Sequence, residues 1–179
     1  MIHLMNLTLA LTIPITLGAL CGTISERGGI IMLGVEGMML MGAFSAVLGS
    51  YVTGSAIIGV LFAMLVGGLL GFLYCLFCLK FKAHQSVIGV GLNLFASGIT
   101  KVLLKAIWGQ EGMSTFVDTI GKVNLPLLKS IPVIGPIFFD QSPLLYLTLV
   151  IVAAVWFVFY RSKFGLRYRA IGDHPLAVR

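Results

Sequence analysis

Five stretches of the chain are apolar for long enough to cross a lipid bilayer, and this constrains the fold more than any other feature. A spanning helix needs about 20 mostly apolar residues. Residues 4–24, 30–52, 56–79, 86–107 and 144–160 meet that requirement. Inside hydrocarbon the backbone must satisfy its own hydrogen bonds, so such stretches fold as helices. The expected fold is all-α, a polytopic membrane bundle of about five transmembrane helices. Composition agrees: 10% of the 179 residues are charged, against roughly 25% in soluble domains. Pro14 falls in the first span, where a membrane helix tolerates it if neighbours or a local kink re-satisfy the freed carbonyl. Lys101 and Lys105, one turn apart near the end of the fourth span, have to snorkel to the interface.

The first span is not read as a cleaved signal. No Lys or Arg precedes it, and bulky Leu20 stands before Cys21 where a small residue is expected. Orientation follows from the basic residues of the short connections. Arg27 lies between spans one and two, Lys80 and Lys82 between three and four, and Arg161, Lys163, Arg167, Arg169 and Arg179 after five. With alternating spans all belong to one side, the cytoplasm, which leaves the N-terminus and the connection 108–143 outside. That connection carries Pro126, Pro132 and Pro136 among Leu, Ile and Phe, so it cannot be one helix yet demands burial. It is either a platform for an extracellular delivery protein or a packed lid. The domain division is therefore a transmembrane module over 1–160 and a basic cytoplasmic segment over 161–179.

Glycine spacing points to close helix contacts at Gly18-x-x-x-Gly22 and Gly67-x-x-x-Gly71. In the second span Gly28, Gly29, Gly34 and Gly37 surround Glu36. A charge within the bilayer costs about 2.5–3.5 kcal/mol on insertion scales, so Glu36 is expected to face inward. It is either a pathway residue beside a broken helix or a carboxylate hydrogen-bonded to a neighbouring helix. Glu26 and Arg27 are most simply an interfacial pair. In the fourth span Ser86, Asn93 and Ser97 share a narrow arc of the helix. Asn93 must face other helices or a watered cavity, as interhelical glue or as a substrate contact. His84 and Gln85 read as interfacial.

Nothing here points to an enzyme. There is no Gly-x-x-x-x-Gly-Lys phosphate loop, so any ATP-driven process needs a separate subunit. His3, His84 and His174 lack metal-ligand spacing, and no metal or other cofactor is expected. Cys75-x-x-Cys78 lies in the apolar run GFLYCLFCL, where both residues act as small hydrophobes. The basic residues flank apolar runs rather than forming a stripe, which fits membrane orientation and not nucleic-acid binding.

SERGGIIMLGVEGMMLMGAF, HQSVIGVGLNLFASGIT, IPVIGPIFF and FGLRYRAIGDHPLAV, taken in order and spacing, resemble the permease subunits of bacterial ABC importers for simple sugars and nucleosides, closest to the nucleoside type. The ribose-type and branched-chain amino acid permeases share the architecture. The resemblance implies an alternating-access pore in the cell membrane, surrounded by membrane lipid and made by this chain with a second permease subunit. It further implies two cytoplasmic ABC ATPase subunits and an extracellular substrate-binding lipoprotein. The stretch matching 165–178 would be a coupling helix seated on the ATPase, with Gly165, Arg167, Arg169, Gly172, Asp173 and Pro175 as its contact and shaping residues. Asp173, His174 and Pro175 stand where the family usually has Glu-Asn-Pro, which keeps an acidic helix start and its proline. The translocation-path candidates are Glu36, Ser86, Asn93 and Ser97. Such permeases run to roughly twice a five-helix module, so the chain is expected to be C-terminally truncated and unable to transport alone. An ion-coupled carrier and a non-transporting membrane scaffold are the alternatives from other classes.

Overall fold

The apolar runs are helical over most of their length, and left-handed glycines, Gly54 and Gly109, end two of the helices. A computed structural model describes residues 2–109, 113 and 143–173. It contains six helices among those residues: α1 (Ile2–Arg27), α2 (Val35–Thr53), α3 (Ala56–Leu79), α4 (Gln85–Trp108), α5 (Pro143–Arg161) and α6 (Lys163–Asp173). The first five are long and apolar enough to cross a membrane, as expected. Most of the connection expected over 108–143 lies outside the described residues, as do His174 and Pro175.

The chain divides into two compact units, one made of residues 1–29 and 120–179 and the other of residues 30–119. In the second unit α2 and α3 form a hairpin. Gly54 turns it at φ +66°, a backbone that disfavours a side chain, and its N–H donates to the Ser50 carbonyl at 2.8 Å. Just below the turn Gly49 and Gly59 let the two backbones meet. A Cβ on Gly59 would strike the Ala46 carbonyl, and one on Gly49 would stand 3.1 Å from the Gly59 Cα. Close approach through small residues is the usual packing device where lipid removes the hydrophobic drive. No atom comes within 4 Å of a Cβ placed at Gly22, Gly67 or Gly71. Among the described residues the contacts expected at those motifs are therefore made elsewhere, by glycines that oppose one another across two helices.

Helix α4 runs parallel to α2. Asn93 meets Gly37, Thr100 donates to the Met41 sulfur at 3.4 Å, and Trp108 makes edge contacts with Phe44 and Tyr51. These rungs bury Phe44, Ala96 and Thr100, while Leu94, Phe95 and Val102 on the other side stay exposed, as a lipid-facing surface requires.

In the first unit the carboxyl ends of α1 and α5 lie together, with α6 against both. Helix α1 passes through Pro14 without a break. Thr8, Thr12, Thr16 and Thr23 each donate to the carbonyl four residues earlier, which leaves no hydroxyl proton facing hydrocarbon. Arg27 and Arg161, the last residues of α1 and α5, emerge at the same end.

Candidate functional site

The second apolar run does not become one helix. Residues 30–52 were expected to span continuously, but residues 28–34 are non-helical and α2 begins only at Val35. The physical reason lies outside the run, in three side chains that replace the missing helical bonds. The Tyr74 hydroxyl donates to the Ile31 carbonyl at 2.7 Å and stands 3.2 Å from that of Gln85. The Ile31 N–H donates to the Gln85 side-chain oxygen at 2.9 Å. The Asn93 amide spans the junction: its nitrogen donates to the Leu33 carbonyl at 3.2 Å, and its oxygen accepts from the Gly37 N–H at 2.8 Å. Non-helical backbone at membrane depth is tolerated where protein groups satisfy it in this way.

Glycine permits the approach. A Cβ on Gly37 would stand 3.0 Å from the Asn93 Cα, and one on Gly89 would stand 2.7 Å from the Leu33 Cβ and 3.1 Å from the Gly34 nitrogen. Tyr74, wholly buried, closes the assembly from α3.

Of the residues expected to line a pathway, Asn93 is the one bonded into this junction. Its two bonds make it the clamp that holds the start of α2 against α4. Ser86 and Ser97 are half-buried on the same helix. Glu36 stands in the first turn of α2 and is exposed; a carboxylate there is favoured by the partial positive charge of a helix N-terminus. Gln85, read from sequence as an interfacial residue, belongs to the junction instead. Tyr74 and Thr100 were not singled out. Both carried a signal, Tyr74 as a hydroxyl in an otherwise apolar run and Thr100 as the continuation of the Asn93 arc seven residues on.

At the other unit Ser162 ends α5 and starts α6. Its hydroxyl donates to the Val158 carbonyl at 2.6 Å and accepts from the Gly165 N–H at 3.2 Å, an N-cap to the third helical residue. Gly165 is buried where α6 folds back, since a Cβ there would lie 2.6 Å from the Phe159 Cα. The Arg169 guanidinium donates to the Phe159 carbonyl and lies over the Tyr160 ring, 4.6 Å from its centre. Tyr168 donates to the Ile24 carbonyl at 3.1 Å and makes an edge contact with Phe159. Gly172 abuts the end of α1, and a Cβ on it would strike the Arg27 carbonyl and stand 3.3 Å from the Gly29 nitrogen. Gly165, Arg169 and Gly172 thus pack α6 within its own unit, while Arg167 is exposed beside Phe164, Leu166 and Ile171. Asp173 is the last residue of α6.

Residues 4–179 match the family model described as the branched-chain amino acid transport system / permease component. The chain belongs to this permease family. It is 35% identical to the guanosine ABC transporter permease protein NupQ of Bacillus subtilis, over 95% of this chain and 56% of that protein. It is 37% identical to the nucleoside ABC transporter permease protein NupC of Lactococcus lactis subsp. cremoris, over 92% of this chain and 54% of that protein. With the putative glucose ABC transporter permease protein TsgC13 of Haloferax volcanii it shares 34% identity, over 96% of this chain and 52% of that protein. The chain spans about half the length of these curated relatives. No solved structure matches it.

For a multi-pass membrane permease the junction residues make a direct prediction. Tyr74→Phe removes the hydroxyl of a wholly buried residue and leaves the Ile31 carbonyl without its donor, which costs about 1 kcal/mol. The expected result is a lower unfolding midpoint in mild detergent with unchanged helix content at room temperature. An unchanged midpoint would mean that the carbonyl has found another donor.

Proposed function

We propose that this permease forms part of the translocation path of an ABC importer for nucleosides, with ATP hydrolysed by a separate cytoplasmic subunit. The observation that carries the reading is the interrupted start of α2. A span whose N-terminal approach is non-helical and held by side chains from two other helices is akin to the interrupted helices that transporters place at a substrate site. Glu36, Ser86 and Ser97 would present polar groups to the path near it, and Asn93 would position the α2 start on which they depend. Family membership favours this reading over an ion-coupled carrier or a membrane scaffold. The guanosine and nucleoside permeases among the relatives support the substrate class, and the glucose permease makes a sugar the second reading.

In the same proposal the N-terminus lies outside and the basic connections lie in the cytoplasm. The shared end of Arg27 and Arg161 in the first unit supports that arrangement. A substrate-binding lipoprotein would deliver from outside, and a second permease subunit would complete the pore. Helix α6, within the segment 161–179, would seat on the ATPase. Phe164, Arg167 and Ile171 share one exposed face of it, apolar with a cation and suited to a groove with an acidic rim.

Uptake of radiolabelled guanosine and of glucose by the full-length permease, assembled with its ATPase and binding protein in proteoliposomes, tests the substrate. ATP-dependent guanosine uptake is the expected result, and uptake of glucose alone would shift the assignment to sugars. Arg167→Glu tests the seat of α6. Because Arg167 is exposed and outside the internal packing, the variant should keep its membrane level while recovering several-fold less ATPase on affinity purification. Undiminished recovery would move the contact off this helix.

A further inference from the structure

Within the first unit, α1, α5 and α6 enclose a cleft of about 190 Å³. Leu20, Ile24, Val152 and Val155 make its wall apolar, and Arg27 and Arg169 stand at its border. Arg27 is the last residue of α1, so the charged border lies at the end of a membrane span and the apolar wall runs back along the span. Trp156 and Tyr160 also line it, stacked one turn apart with ring centres 6.1 Å apart, and both are more than half exposed. Exposed amphipathic rings at a span end mark the headgroup level of a bilayer. Arg169 donates to the Phe159 carbonyl, yet its Nε–H is buried with no acceptor among the described residues. The guanidinium is therefore held in place by packing and by the Tyr160 ring, and is not consumed by a carboxylate.

Two cations, Arg27 and Arg169, line the cleft with no acidic residue beside them in the lining, and the chain around α6 is basic as a whole. Arg161, Lys163, Arg167 and Arg169 lie within residues 161–173 against a single acid, Asp173, and Glu26 stands beside Arg27. We propose that the cleft is a binding site for one anionic phospholipid, with an acyl chain along α1 and α5 and the phosphate between Arg27 and Arg169. The combination of apolar wall, two arginines in the lining and interfacial aromatic rings matches that ligand in each part. Basic pockets between spans at this depth take anionic headgroups, with each cation near the surface contributing about five-fold in affinity. Bidentate donation to phosphate is the particular strength of arginine. A phospholipid in this place would brace α6 against α1 and α5, which makes the position of the short basic helix sensitive to the lipid around it.

The test is photo-crosslinking on the full-length permease complex in nanodiscs of equal phosphatidylglycerol and phosphatidylcholine, with p-benzoylphenylalanine at Val155. Adducts read by mass spectrometry should fall on phosphatidylglycerol about 25-fold more often than on phosphatidylcholine, about five-fold for each of the two guanidinium groups. Arg27→Gln, at an exposed position that should not disturb folding, is expected to cut that preference by about five-fold. Arg27→Gln with Arg169→Gln should bring the ratio to about one. Adducts on polypeptide, equal labelling of both lipids, or a preference undiminished by Arg27→Gln would each overturn the proposal.

Discussion

Asn93→Leu is expected to cut transport by the assembled permease about tenfold or more and to destabilise it as well. Leucine fits the volume but offers nothing to the Leu33 carbonyl or the Gly37 N–H, the two groups that Asn93 now satisfies. Each orphaned group costs about 1–3 kcal/mol in an apolar setting. Two of them are enough for a loss of about tenfold or more in active transporter. Asn93→Asp keeps an acceptor for the Gly37 N–H and loses the donor to Leu33, so its defect should be intermediate. Uptake by membranes of matched protein content, read beside the unfolding midpoint, checks the order. A clamp predicts that stability and uptake fall together for every substrate. A raised KM for one substrate with the midpoint unchanged would instead make Asn93 a substrate contact.

The second large effect is expected from Gly172→Val. Its Cβ would strike the Arg27 carbonyl, a backbone atom at the end of α1 that cannot rotate away. Overpacking of this kind typically costs 1–3 kcal/mol, and here α6 can relieve it by lifting off α1. The expected result is a permease that reaches the membrane but shows about tenfold less substrate-stimulated ATP hydrolysis when assembled with its ATPase. Arg167→Glu, by contrast, leaves α6 seated and weakens only its outer contact. Full stimulation in the Gly172 variant would mean that the fit of α6 against α1 does not matter for coupling.

The two variants also show what the sequence could reveal. The five spans were legible because each depends only on its own apolar length. The glycines around Glu36 admitted a broken helix as one reading, but the place of the break was not legible, because GGIIML is as apolar as a helix would be, and the decision rests with Tyr74, Gln85 and Asn93 on two other helices. Glycine spacing within one helix pointed to Gly67 and Gly71, whereas the interlocking glycines, Gly49 with Gly59, come from opposite helices and form no Gly-x-x-x-Gly pair in either. Asn93 could be singled out as an amide that had to find partners, but the choice between glue and substrate contact needed the atoms it meets. In the basic segment Arg167 and Arg169 looked equivalent. Two residues apart on a helix they point to nearly opposite sides, and only the fold tells the outward one from the one lying over Tyr160.

The side-chain clamp around residues 30–34 also sets a timetable for biogenesis. Ile31 is made 43 residues before the hydroxyl that will hold its carbonyl, and Gly37 is made 56 residues before its acceptor. At 5–20 residues per second, roughly 3–11 s pass between the synthesis of Gly37 and that of Asn93. Throughout that interval the polar backbone ahead of α2 has no permanent partner and cannot rest stably in lipid. The nascent chain must therefore keep this stretch in the protein-conducting channel or at the aqueous surface until α4 emerges, so that α2, α3 and α4 enter the bilayer as a group and not one by one.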